Sequence, residues 1–399
     1  MAASQRVLGV GVIGLGGASL AMIPKFVQNP NFRIAAAADI DVEIMERFGK
    51  DFPKAESYHE AAGLCASRNV DLVYIATPNR FHAEHAARAL ESKKHVLIEK
   101  PMTIDIAGAE QMIATAKRNG VLLGVNVKHS FEPRVLRLRE MARSGELGRL
   151  RMINTWRFND WLYRPRTAEE LMPEFGGGIL WRQGAHHFDL IRTIAGGVVW
   201  SVRGTVESWD PKRRVPGCYA AYFDFEDGTI ATAINSGYDH FDSKEFGQRD
   251  FSVHPANHAR ARRQLRAAPD VDWEERAARE ERYGGARTAS NEHRPTQLSL
   301  GWIMGGPLIA SFDKGDVRMT PGGLTVYGDD ELYEIKLGVK GEDGRDGRIN
   351  SFYDAIVRGR PLSADGAWGM ATLDVILAIE ESAKTRKEVL LRHQVPTID

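Results

Sequence analysis

The chain has 399 residues, more than one typical compact core contains, so its length favours two domains. Its 53 lysines and arginines balance 53 aspartates and glutamates, and the sequence pI is about 7.2. This neutrality excludes a strong electrostatic preference for nucleic acid or anionic membranes. We therefore expect a small-molecule partner, with no nucleic acid and no membrane involved.

Cysteine usage and the apolar runs narrow the class of protein further. Cys65 and Cys218 lie far apart and form no metal-binding or redox motif, so we expect two reduced core thiols and no metal. The first predicted strand begins almost at the first residue, which leaves no room for an export signal. The longest apolar runs are far shorter than the roughly 20 residues of a membrane-spanning helix. These features predict a cytoplasmic protein.

Strand and helix patterns alternate through the first 125 residues. The apolar run at 7–13 ends in glycines, which is typical of a strand buried on both faces of a parallel sheet, and a helix is predicted over 18–28. Further strands are predicted at 34–38, 72–76, 96–98 and 122–125, with helical patterns between them. This alternation indicates right-handed βαβ units, so residues 1–125 are predicted to form an α/β Rossmann domain with a doubly wound parallel sheet.

Residues 126–399 have a different pattern. Stretches of alternating polarity at 152–157, 218–225, 229–235 and 323–327 predict a large, mainly antiparallel sheet with one face covered. We interpret this region as an α/β domain for substrate binding and oligomerisation. The segment at about 243–297 is charged and poor in large aliphatic residues, which indicates an insertion that is a solvated surface excursion, a lid or a subunit contact. One helix is predicted at the C-terminal end, over about 349–385.

A glycine-rich turn follows the first predicted strand and opens the first helix. Its residues are Gly14, Leu15, Gly16, Gly17, Ala18 and Ser19. Glycines here permit a tight turn and a close approach of the backbone to a pyrophosphate, whose charge the helix N-terminal amides meet. Ser19 stands where the dinucleotide fingerprint has glycine or alanine, but its side chain is small. The turn therefore predicts dinucleotide binding.

Asp39 lies about 20 residues beyond the glycines, at the end of the second predicted strand, where a carboxylate can accept hydrogen bonds from the ribose hydroxyls. The same carboxylate would repel a 2′-phosphate, and no arginine follows it directly. These features favour NAD over NADP. Alternatively Asp39 caps the next helix, which Asp41 could also do.

The next strand ends carry a family resemblance. Ala76-Thr77-Pro78-Asn79, His82 and Glu99-Lys100-Pro101, with the glycine turn, resemble the glucose-fructose oxidoreductase and inositol dehydrogenase family, Gfo/Idh/MocA, over the whole chain. The resemblance implies that Thr77, Pro78 and Asn79 line the nicotinamide side of the cofactor. It also implies that Lys100 contacts the reacting hydroxyl and that the bond before Pro101 is cis. The predicted cofactor site further includes His82, Glu99, Lys100 and Asn126.

A second catalytic segment spans 176–189. Members of this family typically have an aspartate four residues before a histidine, so that both lie on one helix face over the nicotinamide. His186 matches the histidine, but Arg182 occupies the aspartate position. Histidine titrates near neutrality and suits a proton acceptor. Without the carboxylate, the choice of base between Lys100 and His186 stays open.

Arg182 offers a planar fork that pairs with a carboxylate, which favours an acidic substrate. Tyr163, Arg164 and Arg166 belong to a segment that should border the same pocket, and Lys128 with His129 could line it. For the arginines, the alternative is an ordinary ion pair within the protein.

A narrower resemblance concerns the segments at 163–166, 182–184, 323–328, 368–369 and 393–395. They are similar to those of the phthalate cis-4,5-dihydrodiol dehydrogenase subgroup. This resemblance implies NAD-dependent oxidation of a carboxylated cyclohexadiene cis-diol to a catechol, in a homodimer or homotetramer. A sugar, inositol or glycoside 3-dehydrogenase is the main alternative, and a non-catalytic cofactor-binding regulator is the second.

Overall fold

Six parallel strands form the first sheet of the computed structural model, which describes residues 6–243, 246, 263, 267, 271–280, 282–284, 306–337 and 344–398. The strands are β1 (Leu8–Ile13), β2 (Phe32–Ala38), β3 (Glu56–Tyr58), β4 (Leu72–Ile75), β5 (His95–Glu99) and β6 (Leu123–Asn126). The helices between them are α1 (Gly17–Gln28), α2 (Val42–Asp51), α3 (Ala61–Ala66), α4 (His82–Glu91) and α5 (Ile106–Asn119). The order β3-β2-β1-β4-β5-β6 confirms the predicted Rossmann sheet.

The chain order reverses between β1 and β4, which lie side by side at the centre of this sheet. All residues of β1 and β4 are buried, which explains why both segments are continuous apolar runs. The loops that follow β1 and β4 turn to opposite sides, so a crevice opens beyond the carboxyl ends of these strands. The glycine turn and the Thr-Pro-Asn segment therefore border one cleft.

Nine strands form the second sheet. They are β7 (Leu150–Phe158), β8 (Val199–Glu207), β9 (Cys218–Phe225), β10 (Ile230–Ser236), β11 (Leu308–Phe312), β12 (Gly315–Thr320), β13 (Gly323–Gly328), β14 (Leu332–Lys336) and β15 (Val389–Leu390). Their order is β14-β13-β12-β11-β7-β10-β9-β8-β15, and the pairing is antiparallel except between β7 and β10. The predicted mainly antiparallel sheet is confirmed. Helices α6 (Pro133–Ser144) and α7 (Ala185–Ala195) pack together beside it.

The prediction of one C-terminal helix over 349–385 is wrong. Two helices occur, α9 (Arg345–Arg358) and α10 (Gly366–Thr385). Gly359 ends α9 in the left-handed conformation, with φ of 67°, and a proline, which has no backbone N–H to donate, follows two residues later. Periodicity alone did not reveal this break.

Helix α9 packs against the first domain and also contacts the short turn at His129–Phe131. Ile349 and Phe352 belong to the core beneath α1, and the Tyr353 hydroxyl donates to the Arg6 carbonyl oxygen at 3.0 Å. Helix α10 contacts both β8 of the second sheet and α5 and β6 of the first domain. The C-terminal segment therefore ties the two domains together.

The predicted insertion at about 243–297 lies largely outside the described residues, but helix α8 (Val271–Arg279) is described. Glu274 of this helix accepts hydrogen bonds from the Arg213 guanidinium at 2.5 Å and the Arg166 backbone N–H at 2.8 Å. A few residues later, the Tyr283 backbone N–H donates to the Leu15 carbonyl oxygen at 3.3 Å. This part of the insertion thus contacts both the second domain and the glycine turn.

Cys65 and Cys218 are buried free thiols, and burial raises the pKa of each to about 11. Across the described ranges, no helix combines the length and apolar character that crossing a membrane requires.

Candidate active site

The glycine turn has the geometry that a bound pyrophosphate needs. Gly14 has φ of +89°, and a Cβ added there would lie 2.9 Å from the Ala76 carbonyl carbon. A Cβ on Gly16 would meet no protein atom within 4 Å, so this position faces open space. No side chain caps the N-terminus of α1, and Gly17 and Ala18 in its first turn are exposed. The free amides at this end fit an anionic phosphate group.

Ser19 shows why a serine is tolerated in the fingerprint. Its side chain is fully buried, and its hydroxyl donates to the Gly16 carbonyl oxygen at 2.7 Å. The hydrogen bond stabilises the turn, while the small side chain keeps α1 close to the sheet.

Asp39 joins the end of β2 to the glycine turn. One carboxylate oxygen accepts from the Leu15 backbone N–H at 2.7 Å and the other from the Asp41 N–H at 3.0 Å. Asp41, and not Asp39, caps α2, since it accepts from the Glu43 and Ile44 backbone N–H groups. The capping alternative is thereby assigned to Asp41, and the Asp39 carboxylate lies beside the glycine turn. Its contact with the cofactor ribose stays a prediction.

The loop after β4 is built on His82. One ring nitrogen lies 2.8 Å from the Thr77 carbonyl oxygen and the other 2.8 Å from the Pro101 carbonyl oxygen. The side chain is fully buried, and burial lowers its pKa to about 4. His82 thus has no surface to offer a cofactor, which corrects its predicted role. Its ring lies between the loops that follow β4 and β5 and, when neutral, donates to one of the two carbonyl oxygens.

Lys100 lies at the end of β5, before the Lys100–Pro101 peptide bond, which is cis as the resemblance implies. Its ammonium group donates to the Arg182 backbone carbonyl oxygen at 3.1 Å. Its backbone N–H donates to Glu99, whose other oxygen accepts from the Tyr74 hydroxyl and the Asn126 amide at 2.7 and 2.5 Å. Both the backbone and the amine of Lys100 are therefore held in place by hydrogen bonds.

The environment makes the Lys100 amine a much weaker base than usual. Burial is the main cause, and the neighbouring Arg182 charge adds to it, lowering the pKa of Lys100 to about 8. A substantial fraction of the amine is therefore neutral near physiological pH. A neutral amine can accept a proton, whereas an ordinary lysine ammonium cannot.

His186 converges on the same region. It is the second residue of α7, and its ring meets the His129 ring edge to face, with centroids 5.1 Å apart. Burial, followed by the Lys100 and His129 charges, holds the pKa of His186 well below its ordinary value. Its Nδ1 is buried and has no hydrogen-bond partner among the described residues. The structure thus brings together Lys100 and His186, which are far apart in sequence.

Arg182 lies in a single π-helical turn, Leu180–Gly184, immediately before α7. π-Helical turns of this kind are frequent at functional sites. Its guanidinium donates to Glu170 at 3.0 Å and to the Asn79 side-chain oxygen at 3.3 Å. Although burial raises it, the charges of Arg182 and Arg166 hold the pKa of Glu170 below its ordinary value, so the carboxylate is ionised. The Arg182 charge is therefore already paired within the protein.

The other residues predicted at the substrate pocket have mixed surroundings. Arg164 forms an ion pair with Asp160 at 2.8 Å. The Tyr163 ring meets the Tyr238 ring edge to face at 6.3 Å between centroids. Burial and then the Lys128 charge hold the pKa of His129 well below its ordinary value, so Lys128 lies close to this cluster. The ion-pair alternative thus describes both Arg164 and Arg182.

Sequence reasoning missed four residues that shape the site: Tyr74, Arg157, Glu170 and Arg345. Arg157 and Arg345 both act on the pKa of His129, although they come from β7 and from the start of α9. The sequence carried no signal that distinguished Arg157, because its position between Trp156 and Phe158 fits the alternating polarity of the strand. All four residues enter the site through contacts between segments distant in sequence.

Comparison with known proteins places this geometry in context. A model of an oxidoreductase family with an NAD-binding Rossmann fold matches residues 8–127, and the Gfo/Idh/MocA C-terminal domain matches residues 135–254. The chain is 34% identical to the 1-carboxy-3-chloro-3,4-dihydroxycyclohexa-1,5-diene dehydrogenase of Comamonas testosteroni, over 94% of each chain.

Solved structures show the same architecture. A candidate dehydrogenase from Bordetella bronchiseptica is 35% identical with a TM-score of 0.86, covering 97% of this chain and 100% of that one. An aldose-aldose oxidoreductase from Caulobacter crescentus has a TM-score of 0.73 at 19% identity, with coverage of 97% and 100%, and so shows the fold alone. The chain is a member of the Gfo/Idh/MocA family of NAD-binding oxidoreductases.

Proposed function

We propose that this dehydrogenase oxidises a carboxylated cyclohexadiene cis-diol to the corresponding catechol. The observation that carries the proposal is the positive charge around the two histidines of the site. Besides burial, the charges of Lys100, Lys128 and Arg345 lower the pKa of both His129 and His186. An anionic substrate would compensate that charge. The whole-length similarity to a dehydrogenase of a carboxylated dihydroxycyclohexadiene supports the same substrate class.

Lys100 is assigned as the proton acceptor. A base works best when its pKa lies near the working pH, and the pKa of Lys100 is about 8. His186 has a pKa well below its ordinary value, so its neutral ring is a poor base. We assign His186 to hydrogen bonding with the reacting hydroxyl through Nδ1, which has no protein partner within the described residues.

The remaining residues hold this pair in place. Glu99, fixed by Tyr74 and Asn126, anchors the backbone of Lys100, and the Arg182 carbonyl oxygen orients its amine. When bound, NAD supplies the hydride acceptor. Loss of hydride from a ring carbinol followed by tautomerisation gives an aromatic ring, which favours the oxidative direction.

The test is the increase in absorbance at 340 nm as NADH forms. The purified chain is assayed with cis-dihydrodiols with and without a ring carboxylate, sugars, inositols and glycosides, each with NAD and with NADP. We expect the highest kcat/KM with a carboxylated cis-diol and NAD. A clear preference for a sugar, inositol or glycoside would replace the proposal with a polyol dehydrogenase.

We also propose that the chain works as a homodimer or homotetramer in the cytoplasm. Trp200 and Tyr222 of the second sheet are 53% and 41% exposed, and such apolar surface favours pairing between subunits. A cytoplasmic location fits a reaction that draws on the cellular NAD pool.

A further inference from the structure

Arg157 occupies a position on β7 that faces the active site. Along a strand, alternate residues share a face, so Arg157 lies on the same side as Ile153 and Thr155. Both are buried, and the Thr155 hydroxyl lies 3.0 Å from the Nε2 atom of His187 in α7. Arg157 therefore projects toward the layer that holds α7, in which His186 directly precedes His187, and not toward the exposed face of the sheet.

The guanidinium of Arg157 is oriented but forms no ion pair among the described residues. Burial lowers its pKa to about 10, and the Asp242 charge opposes this. The Nη1 atom of Arg157 donates to the Gln183 side-chain oxygen at 2.7 Å. By contrast, four arginines nearby are each paired with a carboxylate. They are Arg164 with Asp160, Arg166 and Arg182 with Glu170, and Arg213 with Glu274. Arg157 is thus distinguished from these four arginines by having no ion-pair partner within the described part of the chain.

One edge of the guanidinium has no hydrogen-bond partner. Nε is buried and unsatisfied among the described residues, and the only bond to Gln183 uses Nη1, so the Nε and Nη2 edge is left for another acceptor. An unsatisfied buried donor costs free energy, and a buried charge costs more unless it is paired. This edge has the two parallel donors that a carboxylate accepts.

Other unsatisfied atoms lie around the same place. Asn235 is the register partner of Arg157 on β10, and its Oδ1 is buried without a partner in the described part of the chain, as is His186 Nδ1. The Arg157 charge also acts on His129, the ring partner of His186. Buried polar groups left unsatisfied together indicate a place for a polar ligand.

We infer that Arg157, oriented by Gln183, binds a carboxylate of the substrate through its Nε and Nη2 edge. The inference rests on the proposed function, since it names the residue that recognises the acidic group of that substrate. It also moves this role away from Arg182, whose charge Glu170 compensates.

Binding of a matched pair of ligands tests the inference apart from turnover. The probes are 3,4-dihydroxybenzoate and catechol, which differ only in the carboxylate, titrated calorimetrically into the NAD-loaded enzyme. We expect tighter binding of 3,4-dihydroxybenzoate by the unmodified enzyme. Arg157→Met should weaken it by about 100-fold and leave catechol binding nearly unchanged, since a charge-assisted two-pronged contact is lost.

Two further variants keep the test decisive if Arg157→Met folds poorly. Arg157→Lys keeps the charge but loses the planar guanidinium, so its affinity for 3,4-dihydroxybenzoate should fall by about 10-fold. Gln183→Leu should weaken binding of 3,4-dihydroxybenzoate but not of catechol, because the guanidinium is no longer oriented. Arg151→Met is the matched control, because Arg151 lies on the same strand and pairs with exposed Asp313. It should bind both probes like the unmodified enzyme.

The outcomes separate the inference from the proposed function. Equal weakening of both probes in Arg157→Met and Arg157→Lys, or no preference for 3,4-dihydroxybenzoate in the unmodified enzyme, would overturn the role of Arg157. If Arg157 controls carboxylate binding but no carboxylated cis-diol is oxidised, the inference stands and the proposed substrate fails. If such a diol is oxidised with an unchanged KM in Arg157→Met, the inference fails and the proposed function stands.

Discussion

Lys100 combines a fixed position with a lowered pKa. The cis bond that follows it, the Glu99 hydrogen bonds and the Arg182 carbonyl oxygen all restrict where its amine can lie. Burial and the Arg182 charge then bring its pKa to about 8. At this scale, sequence reasoning identified Lys100, Glu99 and Arg182, but not Glu170, whose carboxylate pairs with Arg182.

Replacement of Lys100 by methionine should remove the proposed proton acceptor with little change in the shape of the side chain. We expect kcat to fall by roughly 10²- to 10⁴-fold, the usual contribution of acid–base catalysis. NAD affinity, measured by fluorescence titration, should change little. Lys117→Met, an exposed substitution in α5, serves as the control. Undiminished turnover in Lys100→Met would remove Lys100 from the mechanism.

The pH profile should report the same group. Since the amine must be neutral to accept a proton, kcat/KM for oxidation should rise with pH and level off above about 8. Arg182→Met removes a cation that lowers the pKa of Lys100, and it leaves Glu170, whose charge raises that pKa, paired with Arg166 alone. Both changes raise the pKa of Lys100, so the midpoint of the pH profile should move to higher pH.

The control for this shift is Arg137→Met, which alters an arginine on α6 that pairs with Glu146. Its profile should coincide with that of the unmodified enzyme. A midpoint unchanged in Arg182→Met, or lowered, would contradict the assignment of the profile to Lys100.

At the scale of elements, the strand ends that border the cleft were the most predictable part of the molecule. Strands buried on both faces gave continuous apolar runs, and the residues directly after them, such as Gly14 and Asp39, occupy one crevice. The break between α9 and α10 was missed. The sequence marks it nevertheless, because Gly359 followed by Pro361 is typical of a helix end. Arg157 and Glu170 were missed because their roles depend on contacts between the second sheet, the π-helical turn and the Rossmann loops.

Asp39 should govern the choice between NAD and NADP. Asp39→Asn removes the negative charge that repels a 2′-phosphate but can still accept the Leu15 hydrogen bond. We expect the ratio of kcat/KM for NAD over NADP to fall by about 10-fold, equivalent to roughly 1.4 kcal/mol. Steady-state kinetics with both cofactors measure this ratio.

Asp41→Asn is the matched control, since Asp41 caps α2. It should keep the cofactor ratio and alter the melting temperature only slightly, because asparagine also caps helices well. A ratio that stays constant in Asp39→Asn, or shifts equally in both variants, would contradict the ribose assignment.

At the scale of the whole molecule, two sheets are joined by a C-terminal segment that returns to the first domain. Helix α10 contacts β8 on one side and α5 on the other, so the cleft between the domains has a fixed support. The second sheet exposes Trp200 and Tyr222 elsewhere. Composition predicted neither the return of α9 nor this aromatic surface, because both depend on how the finished sheets pack.

Subunit pairing through the second sheet can be tested by charge. We expect the unmodified chain to sediment as a dimer or tetramer in analytical ultracentrifugation. Trp200→Glu with Tyr222→Glu should reduce the mass toward one chain, because a buried unpaired carboxylate opposes association. Lys212→Glu, on an exposed turn, should leave the mass unchanged. An unaltered mass in the double variant would place the interface elsewhere.

The most direct test of the central claim follows the hydrogen itself. A carboxylated cyclohexadiene cis-diol with deuterium on its carbinol carbons is oxidised by the enzyme. The NADH formed is isolated, and its deuterium content is measured by mass spectrometry. If Lys100 and His186 flank the carbinol carbon beside the cofactor, each NADH gains one deuterium and kcat/KM shows a primary isotope effect, while Lys100→Met forms almost none. NADH without deuterium, or transfer by Lys100→Met at the unmodified rate, would contradict the account.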